Sequence, residues 1–161
     1  MSFIFSLLFT LQSSPSQFLL RIIILVIYYI FFPQVGYVWD GDLSGKLLYS
    51  FSHANIFHLL GNCFVIWIFK MPIRIEAFVI AVLCAFLPCF ATQPTMGASG
   101  VLFAHIGMCW AQNGNFKNMC KYILPITILT GLLPGVNLMI HLYCLFLGYL
   151  YNFLISKQYA K

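Results

Sequence analysis

The sequence predicts an all-α membrane protein: a bundle of six transmembrane helices whose fourth helix is short and starts inside the membrane. Three observations carry this. Hydrophobic residues make up 62% of the 161 positions and charged residues 7%, too few to cover a soluble surface of this size. Apolar runs recur along the whole length with brief polar breaks, so residues 1–161 read as one membrane domain with no room for a separate soluble one. The net charge of +5 comes from basic residues scattered singly between apolar runs, not from the stripe or patch that nucleic acid requires.

Crossing a hydrocarbon core takes ~20 helical residues, or fewer where a helix starts in a protein-lined cavity. Six runs qualify: residues 17–33, 51–70, 75–91, 98–112, 120–133 and 138–155. Ahead of the first, Ser2 to Leu11 is apolar but lacks a basic flank and a small-residue cleavage site, so it reads as a short interfacial helix and not a signal peptide. Pro33 to Gly45 is a polar loop holding Asp40 and Asp42. Met71-Pro72 separates the second and third spans, and Thr92-Gln-Pro-Thr precedes the fourth. Asn113-Gly-Asn follows that span, and Pro134-Gly135 precedes the sixth. If the spans alternate, Arg21, Lys70, Arg74, Lys117, Lys121, Lys157 and Lys161 share one side and Lys46 alone takes the other. The basic side stays cytoplasmic, which puts both termini inside. A prokaryotic cell (inner) membrane is the expected location. The six cysteines lack the paired spacing of a zinc site or a secreted disulfide framework and read as small buried hydrophobes.

Polar side chains inside spans are costly, and they face a bundle interior or a watery cavity. In the second span, His53 is followed by Asn55, His58 and Asn62, and the last two, four residues apart, share one helical face. Interhelical hydrogen bonding is the plain alternative for this group. The fourth span opens with Met96-Gly-Ala-Ser-Gly100, and glycine with serine is also common where membrane helices pack closely. Its length adds information: a helix from Ala98 to Gln112 is only ~22 Å long against a core of ~30 Å. Ser99 is therefore expected at a helix N-terminus sunk below the outer surface. There, free N–H groups can stabilise a developing oxyanion. His141 stands about one turn inside the outer end of the sixth span, at a similar depth to Ser99. Packing of span four on span six through Gly100, Gly107 and Gly148 would bring hydroxyl and imidazole within hydrogen-bonding reach. His105 lies six residues from Ser99, about 240° around the helix, and reads as structural.

Together these segments resemble the rhomboid proteases. His53-Ala-Asn-Ile-Phe-His58-Leu-Leu-Gly-Asn62 is similar to that family's second-helix signature, and Gly97-Ala-Ser99-Gly100 to its G-x-S-G. His141 with Gly148 is similar to its last-helix histidine and glycine. The resemblance implies a six-helix rhomboid-like bundle that cleaves transmembrane protein substrates near the outer membrane face. It implies a Ser99–His141 dyad without a carboxylate, metal or cofactor, and an oxyanion hole of His58, Asn62 and the Ser99 backbone N–H. Phe103 would pack on the catalytic imidazole, and His53 would organise the outer end of the second helix. The expected partners are a transmembrane substrate and the lipid bilayer. Departures lie in the first loop, where Gly45-Lys46 replaces the usual Trp-Arg one residue closer to His53, and at Cys144, where glycine is common. Two other classes stay open: a catalytically inactive rhomboid-like protein that binds membrane helices, and a small transporter. The second of these lacks an internal repeat and a paired intramembrane carboxylate.

Overall fold

The structure, a computed structural model, describes residues 15–69, 74–89, 93–112 and 116–159. The interfacial helix expected over Ser2 to Leu11, and the breaks at Met71-Pro72, Thr92 and Asn113-Gly-Asn, lie outside them. The described chain is all-helical apart from an isolated antiparallel pairing of Tyr37 with Thr95. It runs α1 (Pro15–Phe31), α2 (Leu43–Leu48), α3 (Ile56–Phe69), α4 (Ile75–Cys84) and α5 (Ser99–Gln112). A composite helix α6 follows, built from Phe116–Asn118, a π-helical stretch Met119–Ile123 and Leu124–Gly131, and then α7 (Leu138–Tyr159).

Local chemistry sets several of these boundaries. Asp42 caps α2, accepting the Gly45 N–H at 3.2 Å. The second expected span starts late. His53 precedes the helix, because Asn55 is the residue whose Oδ1 accepts the His58 N–H, at 2.9 Å, and caps α3. The third ends early, since the chain turns over Ala85 to Leu87 before Pro88, which cannot continue a helix. Within α6, Pro125 has no N–H to give to the preceding turn. The wider π turn just before it, closed by Leu124 N–H on Met119 O, accommodates the ring.

Helix α5 is the axis of the bundle. One side of it (Val101, Ala104, Met108) packs on α4 and α7, a second (Leu102, with Ala98 just before the helix) on α1 and α3, and Ala111 on α6 and α7. A helix buried all round needs small residues where its neighbours come closest. A Cβ at Gly148 would press into the Ala104 backbone, and one at Gly107 into that of Leu145, so α5 and α7 meet backbone to backbone. At the end remote from Ser99, Asn152 Nδ2 donates to Met108 O at 2.9 Å, and Arg74 pairs with Glu76 at 2.7 Å.

The outward faces are as apolar as the interior. Ile23, Ile27 and Ile30 on α1, Leu60, Phe64 and Trp67 on α3, and Ile126 and Leu129 on α6 are all exposed. A surface of this kind is stable against lipid, not water. By length and composition, one helix among the described residues, over Leu138–Ile155, suffices by itself to cross a bilayer. Leu19–Phe31, Ile56–Ile68 and Ile75–Cys84 are apolar but shorter.

Candidate active site

Ser99 is the first residue of α5. The chain reaches it through Gly97, whose φ of +120° strains any other residue. A Cβ there would also lie 2.6 Å from His58 Nε2 and 3.4 Å from Asn62 Nδ2. The turn before the serine is thus held against the polar face of α3. The same turn is fixed from the other side, since Gly97 N–H donates to Tyr49 O at 2.8 Å. Tyr49 is itself buried, its hydroxyl donating to Ala81 O at 2.9 Å.

His141 lies one turn into α7, and its Nε2 is 2.9 Å from Ser99 Oγ. Phe103, one turn after Ser99 on α5, stacks on the imidazole with centroids 4.4 Å apart and planes at 28°. His141 Nδ1 is buried and has no hydrogen-bond partner among the described residues. No carboxylate stands behind it: Asp42 caps α2, Glu76 is forked onto Arg74, and Asp40 is exposed. With Nδ1 protonated, Nε2 presents a lone pair to the serine hydroxyl, the arrangement a general base needs.

The remaining residues singled out in the sequence fall around this pair. His58 and Asn62 share one face of α3 beside the serine turn, and Asn62 Nδ2 is a buried donor without a partner among the described residues. His53 packs its ring on His58 at 5.2 Å, edge to face, while its N–H donates to Gln34 Oε1 at 2.7 Å. It therefore ties the chain after α1 to the start of α3. Gly100 leaves room for the Tyr49 hydroxyl and for Cys144, which is fully buried. His105 is buried on another face of α5, with Nε2 3.4 Å from Cys109 Sγ and outside the site. No disulfide joins any of the six cysteines.

The first loop brings residues the sequence did not single out. Tyr37 N–H donates to Thr95 O at 2.9 Å and Thr95 N–H to Tyr37 O at 2.8 Å, so the segment leading to Ser99 is pinned as a short strand pair. Trp39 Nε1 donates to Phe86 O at 3.3 Å, and the Lys46 ammonium sits 5.0 Å above the Phe86 ring. The first loop thus docks just beyond the C-terminal end of α4. Asn137 joins Thr95 to the start of α7.

Fold and site together define a helical membrane protein that holds a serine and a histidine in hydrogen-bonding contact at a helix N-terminus. A family model described as a Rhomboid domain matches residues 40–158, and the chain belongs to the rhomboid family. Neither the curated proteins nor the solved structures returned a match.

Proposed function

We propose that this protein is an intramembrane serine endopeptidase that cleaves transmembrane protein substrates near the outer membrane face. The observation that carries the reading is the 2.9 Å contact of Ser99 Oγ with His141 Nε2, at the start of a helix with polar donors beside it. Ser99 Oγ attacks the scissile carbonyl while His141 Nε2 takes its proton. The oxyanion is received by the Ser99 N–H with His58 and Asn62, donors that already face the turn the carbonyl must approach. His141 then protonates the leaving amine, and a water activated by the same imidazole hydrolyses the acyl-enzyme.

In this reading six helices cross the membrane, with α5 entering from a polar outer vestibule, both termini cytoplasmic and the protein in a prokaryotic inner membrane. A 14-residue α5 is ~21 Å long, so its serine end lies below the outer surface when its inner end reaches the opposite interface. The intact pair weighs against an inactive helix-binding relative.

The test is reconstitution into vesicles with a labelled single-span substrate. Cleavage by the wild type and its loss in Ser99→Ala and His141→Ala are expected. Equal cleavage by wild type and Ser99→Ala sinks the assignment. Labelling of wild type by a serine-directed fluorophosphonate, absent in Ser99→Ala, separates a protease from a binding protein.

A further inference from the structure

Thr95 and Asn137 lie in the two segments that lead into the serine and histidine helices. Each stands four residues ahead of its member of the pair, 95 before 99 and 137 before 141. Asn137 Nδ2 donates to Thr95 Oγ1 at 2.6 Å. Its other end is engaged as well, because Oδ1 accepts the Met139 N–H at 3.1 Å and so caps α7. This second bond fixes the amide's orientation: with the oxygen on the Met139 N–H, the NH2 group faces Thr95.

Thr95 is equally constrained. Its N–H and C=O are both paired with Tyr37, and the residue is buried. It cannot follow a displaced Asn137 without breaking that pairing. From Asn137 to His141 is about one helical turn, ~6 Å of rise. From Thr95 to Ser99 the chain passes through Gly97, itself held on Tyr49 O. One side chain therefore links the origins of both approaches to the reacting atoms.

We propose that the Thr95–Asn137 hydrogen bond is a clasp that sets the register of α7 against the serine turn, which makes both residues positioning residues for the proteolysis proposed above. The inference rests on that reading. Ser99 Oγ and His141 Nε2 are never touched by either side chain; what the clasp governs is where the two helices begin.

Two variants remove it without removing the local structure. Thr95→Val keeps the branched shape and the backbone pairing but loses the acceptor. Asn137→Ser keeps a good N-cap but is too short to reach Thr95. Each is expected to lower kcat about 10- to 100-fold, with KM within about twofold of wild type, the size expected for a misplacement near 1 Å. The double variant is expected to lose no more than either single one, because both remove the same bond. Thr95→Ser, which restores the hydroxyl, is expected to recover kcat to within about threefold.

A second readout is independent of turnover. The imidazole 15N signal of His141 that moves in Ser99→Ala reports the Ser99–His141 hydrogen bond, and Thr95→Val is expected to move it the same way. Should the wild type prove inert towards substrate while this signal still responds to Thr95→Val, the protease reading falls and the clasp stands. Should Thr95→Val match wild type in kcat and in the imidazole signal, the clasp is overturned. Equal losses in Thr95→Val and Thr95→Ser overturn it too, because the hydroxyl is then not the agent.

Discussion

The separation of α5 and α7 fixes the distance between serine and histidine, and Gly148→Ala tests this directly. An added Cβ would sit 2.8 Å from the Ala104 carbonyl carbon and 3.0 Å from its Cα, where ordinary contact begins near 3.4 Å. The Ala104 carbonyl oxygen lies closer still; the obstacle is backbone, so no rotamer relieves it, and the helices must part by well over the ~0.6 Å that the carbonyl carbon alone requires. Moved apart as rigid rods, they would stretch Ser99 Oγ to His141 Nε2 from 2.9 Å to beyond about 3.5 Å, past a working hydrogen bond. Overpacking of this kind costs about 1–3 kcal/mol, offset by up to about 1 kcal/mol from alanine's better helix propensity. The expected net loss is about 1–2 kcal/mol. Misplacement of the pair lowers cleavage about 10- to 100-fold. Cleavage of a single-span substrate in vesicles and thermal unfolding in one detergent measure the two effects. Gly61→Ala on α3 is the control, since a Cβ there meets nothing within 4 Å, and unchanged activity with equal or higher stability is expected. A Gly148→Ala protein with wild-type rate and wild-type melting would falsify the claim that this crossing sets the pair.

Asn62→Ala removes a donor at the proposed oxyanion site and is expected to lower kcat about 10²-fold while thermal unfolding stays unchanged; an unchanged rate would strike Asn62 from the site. Tyr49→Phe removes the hydroxyl that donates to Ala81 O at 2.9 Å, and a stability loss of about 1 kcal/mol is expected in denaturant unfolding. At Asp42, hydrogen bonds from the Ser44 hydroxyl and the Gly45 N–H hold the carboxyl below its ordinary value of 3.8. A lowered folded-state pKa gives stability that is fully present above 3.8 and lost as pH falls through the folded value. Unfolding curves from about pH 6 down to about pH 2 are expected to show this acid-side loss in wild type and a smaller one in Asp42→Asn.

How much of the site could be read from sequence depended on how local its determinants are. The place of Ser99 at a helix start was legible because the apolar run that Gly97-Ala-Ser-Gly100 opens is short, and that of His58 with Asn62 because a spacing of four puts them on one face. The helix expected to include His53 failed for a different reason. Ser52, His53 and Asn55 all offer polar side chains at the start of an apolar run, and hydropathy does not choose between them. The choice is made by Asn55 Oδ1 reaching the His58 N–H. The early end of α4 was hidden because Ala85 to Leu87 is as apolar as the helix before it. Thr95 and Asn137 carried no signal at all: each is an ordinary polar residue near a helix start, and their pairing spans 42 positions.

Two kinds of contact hold the Ser99–His141 pair, and they act on different coordinates. Glycine-mediated contact between α5 and α7 sets how far apart the helices lie, and being backbone on backbone it has almost no give. The hydrogen-bonded connecting segments set where each helix begins: Tyr37 and Tyr49 hold the serine turn, and Asn137 holds the start of α7. Distance is thus built into backbone contact within the core, where a change also alters stability, while register is built into single side-chain hydrogen bonds such as Thr95–Asn137, whose loss leaves the buried Tyr37 and Tyr49 of the loops in place. A perturbation at Gly148 should therefore reduce melting and turnover together, whereas one at Thr95 should reduce turnover with melting nearly unmoved. Coupled losses at both positions would mean that the connecting segments are part of the core's cooperative unit and that register is not separately controlled.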